Sequence, residues 1–519
     1  MRIKHSIFNI AAGLGSQVII TALSFISRTV FITYLGIEYL GISGLFTSIL
    51  AMLALAEAGI GSSIIYSLYK PVADNNHEKI NVLMKLYRNA YMVIAGVVLV
   101  LGLSIMPFLH VFVNDTSVDN IILIYLIFLI NTVLPYLYLH KHSFLNVCQK
   151  TYIITGIFTV SSIVSVILKI AILYYTQNFI LYLAVESFIT MATSIILAVI
   201  VNKMYPFLKE RVKAKLDPET KANIIKNIKA IVLQNIGVYL VFGTDNIIIS
   251  TFVSVTAVGL YSNYHMLIEI CRTFVNQIFN NIYHSVGNLV ASETREKIYS
   301  IYKVTMLLNF WLYSLFTICL LILLEPFLTI WIGTEFLMSH GILFVLMIIF
   351  YERGMRNAIT TVKNTSGIFH EDRFAPLCQA AVNLIVSIVL VHHIGIIGVF
   401  IGTLVSALIV PFWVTPYFVY KKVFGLSLVS YFTKYFSLIA IGIATYLFTN
   451  FVSSFITINS IPSFLISACI CLLIPNMIYV SIFYKTKEFQ YLLQVVKTLV
   501  SILTERLGKK TSVRKNAAS

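Results

Sequence analysis

Ten ionisable side chains stand inside long apolar runs: Arg28, Glu57, Lys169, Glu186, Asp245, Glu269, Arg272, Glu352, Arg353 and Arg356. A charge in such a run is costly, so it faces a partner or a water-filled cavity. Arg272 follows Glu269 by three residues, and Arg356 follows Arg353 by three, so each pair shares a helix face. Guanidinium groups converging at one depth donate planar, bidentate hydrogen bonds and keep their charge at any working pH, which suits a pyrophosphate. The competing reading is that Glu269 and Glu352 neutralise these arginines locally, or that the helix ends early and Arg353 and Arg356 lie at the cytoplasmic surface. Arg28 and Asp245 lie at similar depth, roughly 10 Å below the outer end of their helices at 1.5 Å per residue. They would meet as an outer gate or as a structural pair within the bundle. Lys169 and Glu186 read as a structural pair. Glu57, with Gly59 and Gly61 just beyond it, either takes a proton for ion coupling or pairs with an arginine. Asp245, Glu57 and Glu269 are therefore the candidates for gating or ion coupling.

The elements that carry these residues are transmembrane helices. Apolar residues make up 59% of the 519, against 11% charged, and the mean hydropathy is +0.89. A chain that apolar cannot cover itself in water, so its solvent is lipid. Runs long enough for a ~30 Å core fall near 10–35, 39–68, 88–112, 120–140, 152–175, 178–203, 230–252, 255–288, 302–324, 340–362, 374–391, 395–420, 431–450 and 461–484. The expectation is an all-α polytopic protein of about fourteen spans. Lys and Arg concentrate in alternate loops, and the opposite loops carry Glu38, Asp115, Asp119, Glu325 and Glu335 instead. The positive-inside rule then places both termini in the cytoplasm. The net charge of +16 reflects this topology, and nucleic acid is excluded as a partner.

Shifted by 218 residues, the chain matches itself across spans 1–2 and 7–8: Thr33 meets Thr251, Gly41 meets Gly259, and Glu78-Lys79-Ile80 meets Glu296-Lys297-Ile298. Six spans separate the copies, which makes this a parallel repeat about an axis along the membrane normal. The organisation expected is an N-lobe 1–203, a cytoplasmic connector helix 204–229, a C-lobe 230–422, an extra helix pair 423–484, and an amphipathic helix and tail 485–519. In the connector, Asp217-Pro218 reads as an N-cap followed by Pro at the first helical position. In the tail, Leu492, Val496, Leu499 and Leu503 share one face, as in an interfacial helix.

On these residues the chain resembles the multidrug/oligosaccharidyl-lipid/polysaccharide (MOP) exporter superfamily. The six-plus-six-plus-two arrangement carries the likeness, with Thr244-Asp245-Asn246-Ile247-Ile248-Ile249 and Val258-Gly259-Leu260-Tyr261. The opening, with Arg28, Tyr34-Leu35-Gly36 and Leu40-Gly41, is similar to the polysaccharide-transport branch, the Wzx-type flippases of lipid-linked oligosaccharides. The resemblance implies alternating-access transfer of an undecaprenyl-pyrophosphate-linked oligosaccharide across a bacterial cytoplasmic membrane. It implies as further partners membrane lipids and the polysaccharide polymerase and chain-length machinery. Arg272, Arg353, Arg356 and Arg28 are then the expected pyrophosphate-binding residues.

The remaining features exclude chemistry rather than supply it. The six cysteines and the pairs His140/His142 and His392/His393 lack metal-ligand spacing. No phosphate-cradling Gly-rich loop appears, and the longest opposite loop, 325–339, leaves no room for a catalytic domain. No cofactor and no enzymatic activity are expected. The alternative to a flippase is a cation-coupled multidrug antiporter of the same superfamily, although Arg28 stands in span 1 where such an exporter favours an acid. A non-transporting scaffold would not need arginines at mid-membrane.

Overall fold

The computed structural model describes residues 2–57, 59–113, 116–210, 217–218, 220–222, 224–225, 228, 237, 240–241, 243–368, 371–495 and 497. Among the described residues the regular structure is helical throughout, without a strand. Among the described residues ten helices are long and apolar enough to cross a membrane, and their side chains present large apolar groups outward, among them Tyr175 (81% exposed), Phe188 (74%) and Met477 (69%). Such a surface is stable only in hydrocarbon. The chain is a multi-pass membrane protein.

Ten among the described residues is fewer than the fourteen expected. The run 39–68 is interrupted: α2 (Ile37–Leu53) gives way to a tight turn at Ala54–Glu57, and α3 (Ile60–Ala73) begins after Gly59. Gly59 has φ +81°, a left-handed conformation that favours glycine. The run 340–362 is likewise split at Arg356, 230–252 lies largely outside the described residues, and 255–288 forms one continuous helix, Val255–Ser292, that is not among the ten. Elsewhere the boundaries follow local signals. Asn76, Asn178 and Ser460 cap the helices that start at His77, Phe179 and Ile461 with side-chain acceptors, satisfying backbone N–H groups that the helix leaves open.

The chain divides into two compact units, Met1–Asn263 with Arg373–Ser406, and Tyr264–Asp372 with Ala407–Ser519. In the first, α1 (Arg2–Leu35) packs along α4 (Thr151–Thr176), which packs along α5 (Phe179–Met204). The helix α6 (His77–Ile105) packs against α3 and against Tyr136–Val147. For the second unit, α7 (Arg295–Trp331) is the centre, packed against α8 (His340–Met355) and α9 (Ile461–Phe483). Tyrosines dominate its core: Tyr302, Tyr420, Tyr431, Tyr435 and Tyr479 are almost fully buried with Phe310.

Two glycines explain a close approach in the first unit. A β-carbon at Gly41 would overlap the Val255 backbone carbonyl, and one at Gly259 would overlap the Ile37 carbonyl. The shift of 218 carries Ile37 onto Val255 and Gly41 onto Gly259. The contact is therefore reciprocal, as across a two-fold axis, and agrees with the repeat read from sequence. The connector's N-cap is also present: Asp217 Oδ2 accepts from the Thr220 N–H at 2.9 Å. Most of the remaining connector, and Val496, Leu499 and Leu503 of the tail, lie outside the described residues. The described start of the tail packs on protein, with Phe489 and Leu492 against the second unit's core and Phe489 stacked 5.8 Å from Trp311.

Candidate functional site

The second unit brings the expected arginines together at the break after α8. Gly354 has no side chain, and the Tyr313 ring of α7 lies where its β-carbon would be. The Gly354 carbonyl accepts from Asn309 Nδ2 at 2.8 Å, also on α7, so a polar group loosened by the break is satisfied inside the bundle, as lipid requires. Asn357, the first residue of α10 (Asn357–Thr365), donates to the Tyr313 hydroxyl at 2.9 Å and lies 3.4 Å from Asn276 Oδ1 on α11 (Val255–Ser292).

Around this polar seam stand the charges. Arg272 is ion-paired with Glu269, and Glu269 Oε1 lies 3.4 Å from His265 Nε2. Arg353 has Arg272, Glu269, Arg356 and Tyr313 as charged or titratable neighbours. Arg356 turns to Glu352: Nη2 donates to Oε2 at 3.0 Å, while Nε is 2.6 Å from Oε1, a charge contact whose angle does not make a second hydrogen bond. Glu352 is 3% exposed and lines an apolar cavity of about 320 Å³ with Thr317, Phe344, Ile348, Tyr435 and Ile443. Among the described residues, three guanidinium groups and two carboxylates leave this cluster one net positive charge. Local neutralisation by Glu269 and Glu352 and convergence of the arginines are thus both present. What the cluster can do chemically is hold an anion in a bundle interior.

The remaining candidates lie in the first unit and do not join into one site. Arg28 Nη1 donates to Ser262 Oγ at 2.8 Å and to Asn263 Oδ1 at 3.3 Å. Asp245 is 7% exposed and accepts from Thr403 Oγ1 at 3.2 Å, and Thr403 in turn accepts from Asn383 Nδ2 at 2.9 Å. Each has found neutral partners, so the Arg28–Asp245 pair anticipated as a gate does not form here. Equal depth left open which way each side chain turns. Glu57 accepts from the Tyr91 hydroxyl at 2.5 Å, so a tyrosine is the hydrogen-bond donor where an arginine was one alternative. Lys169 and Glu186 pair as expected at 3.0 Å, with the ammonium also 4.3 Å from the Tyr182 ring centroid.

Tyr313, Asn309, Asn357, Thr403 and Asn383 are not singled out by a sequence reading that rests on charged side chains. Their signal was available: an amide in an apolar run is itself expensive and demands a partner. Among the described residues no group of His, Cys, Asp and Glu has a metal-binding arrangement.

The fold is that of transporters. The lipid II flippase MurJ in an inward closed conformation has a TM-score of 0.63 at 16% identity, covering 92% of this chain and 99% of that one. An inward-facing multidrug resistance MATE family transporter of the MOP superfamily has 0.59 at 14%, covering 76% and 93%. The MATE transporter VcmN of Vibrio cholerae has 0.56 at 14%, covering 79% and 94%. At such identities the likeness is one of fold, that of polytopic membrane proteins. Among curated proteins none matches the chain. The model of the family described as "Polysaccharide biosynthesis protein" matches residues 7–283, more than half of the sequence, and the chain belongs to that family.

Proposed function

We propose that the protein is a flippase that carries an undecaprenyl-pyrophosphate-linked oligosaccharide from the inner to the outer leaflet of a bacterial cytoplasmic membrane, for surface polysaccharide synthesis. The observation that carries this reading is the net-positive Arg272, Arg353 and Arg356 cluster inside a chain of the polysaccharide biosynthesis family. The pyrophosphate is the part of such a substrate that lipid rejects most strongly, and guanidinium is the group best matched to it. Arg272 and Arg353 bind it, and Arg356 is held by Glu352 and supplies field rather than contact. Arg28 serves as a further substrate-binding cation, and Asp245, Glu57 and Glu269 serve gating or ion coupling.

The transfer proceeds by alternating access of two lobes, 1–203 and 230–422, tied by the connector 204–229, with the extra helices 423–484 and the tail 485–519 attached to the second. Both termini lie in the cytoplasm, on the side rich in Lys and Arg. The prenyl chain stays in hydrocarbon while the charged head crosses. Moving a negative charge outward across an inside-negative membrane releases about 2.3 kcal/mol per 100 mV, which favours this direction. The protein makes and breaks no covalent bond in this reading. Its partners are the substrate, bilayer lipids and the polymerase and chain-length machinery that act next.

The test is leaflet-resolved measurement of lipid-linked oligosaccharide in cells lacking the protein, complemented with wild type or with Arg272→Ala. Build-up in the inner leaflet, relieved by wild type but not by an equally expressed Arg272→Ala, is the expected result. An unchanged distribution on deletion removes the flippase reading for that glycan. Efflux of cationic drugs in the same strains would then assign the chain to the antiporter class.

A further inference from the structure

A second concentration of positive charge sits in the first unit, well separated in sequence from the arginine cluster. Lys141 has Lys209 and Arg88 as charged neighbours, and His140 has Lys141 and Arg88. None of the ion pairs among the described residues takes Arg88, Lys141 or Lys209. His140 is 6% exposed, and its Nδ1 has no hydrogen-bond partner.

The grouping is built rather than incidental. Lys209 ends the tight turn Pro206–Lys209 that follows α5. That turn is fastened to α6: Asn81 Nδ2 donates to the Phe207 carbonyl at 2.8 Å, and the His77 ring stacks on Phe207 at 4.0 Å. Phe144, three residues beyond Lys141 on the helix Tyr136–Val147, packs edge-on against Tyr205. Contacts from both neighbouring helices therefore hold the connector's lysine next to Lys141 and Arg88. Like charges so placed repel one another, and a counter-anion is what relieves them.

Position narrows the anion. Lys141 is six residues from the end of its helix at Val147, roughly 9 Å along the axis at 1.5 Å per residue. Helix ends and long basic side chains at that depth reach the headgroup layer. A guanidinium, two ammonium groups and an imidazole nitrogen together match phosphate oxygens.

We propose that Arg88, His140, Lys141 and Lys209 form a binding site for the phosphate of an anionic lipid headgroup on the Lys- and Arg-rich membrane surface. The site is independent of which substrate crosses the membrane. Bulk phospholipid and a prenyl pyrophosphate both carry this chemistry.

Native mass spectrometry of the full-length protein released from detergent separates these sources. The probes are phosphatidylglycerol, phosphatidylcholine and geranylgeranyl pyrophosphate. The variants are Arg88→Gln/Lys141→Gln/Lys209→Gln together, and as control Lys79→Gln/Lys150→Gln/Lys203→Gln, which removes the same charge from nearby positions. An attraction of about 1 kcal/mol per basic residue corresponds to about fivefold per charge, on the order of a hundredfold for three. The expected result is that loss for phosphatidylglycerol or the prenyl pyrophosphate in the first variant, much less in the control, and weak binding of phosphatidylcholine throughout. Whichever probe depends on the cluster identifies the source. Equal losses in the two triple variants reduce the effect to general surface charge and overturn the site, as does unchanged binding in the first. Lys141→Arg, which keeps the charge, must retain binding; if the triple variant misfolds, Lys141→Gln against Lys141→Arg decides the matter.

Discussion

The Glu352–Arg356 pair offers the sharpest test of how charge is handled in the second unit. Glu352 is 3% exposed, the Arg356 side chain is 14% exposed, and the carboxylate borders an apolar cavity. Arg356→Met keeps comparable volume but leaves the carboxylate facing hydrocarbon alone. Removing one partner of a buried pair costs about 3–5 kcal/mol, because the stranded charge keeps its desolvation penalty. Replacing both, as Glu352→Gln/Arg356→Met, removes charge and penalty together and is expected to return stability to within about 1 kcal/mol of wild type. The double-mutant cycle should then give a coupling of at least about 2 kcal/mol, larger by whatever Glu352→Gln costs alone. Intrinsic fluorescence during urea unfolding in mild detergent reads this directly: the three tryptophans, Trp311, Trp331 and Trp413, all belong to the second unit. A double variant as unstable as the two single losses added together would refute the reasoning, as would an Arg356→Met that unfolds with the wild type.

Two further outcomes follow from other contacts. Gly41→Val drives a branched side chain into the Val255 carbonyl and Gly259→Val into that of Ile37. Each should cost at least the 1–3 kcal/mol of overpacking and lower the yield of monodisperse protein by size-exclusion chromatography to a similar extent; tolerance of either disproves the reciprocal packing. Glu488 lies 3.4 Å from Lys303 and 3.8 Å from Lys434. Burial pushes its carboxyl up, but the hydrogen bond from its own backbone N–H and the two ammonium charges outweigh that and hold it below its ordinary 4.5. A depressed carboxylate stabilises fully above that ordinary value and loses its contribution as pH falls through the folded value. Acid should therefore loosen the packing of Phe489 on Trp311, seen as a change in tryptophan emission below about pH 4.5. Glu488→Gln should flatten that change, and identical pH profiles in wild type and variant would count against the docking.

Charge placement was the most legible part of the site. Arg272 beside Glu269 follows from helical spacing alone, and so does Lys169 opposite Glu186 once two adjacent spans are set in register. The Asp217 cap and the Gly41–Gly259 equivalence were readable for the same reason, since backbone geometry dictates them locally. The Arg28–Asp245 pairing failed for a different one. Counting residues fixes depth along a helix but not its rotation about its axis, and rotation decides that Asp245 meets Thr403 while Arg28 meets Ser262. An early end to this helix was one of the alternatives, but its place at Arg356 was not legible, because Gly354 alone does not end a helix. It takes Tyr313 on a distant segment to occupy the missing side chain's place.

That break has a consequence for the arginines. On an uninterrupted helix Arg353 and Arg356 would share a face and an environment. Here Arg356 follows the last residue of α8 and closes on Glu352 one turn earlier, whereas Arg353 precedes the glycine and stays within reach of Arg272 and Tyr313. One guanidinium is thereby neutralised on the side of the apolar cavity, and the charge excess is carried toward the face where α11 and α7 meet the seam of Asn276, Tyr313 and Asn357. A ligand anion drawn to this unit would find polar donors beside the excess charge and hydrocarbon beside the neutral pair. A head with two phosphates on a prenyl chain has the same division of polarity.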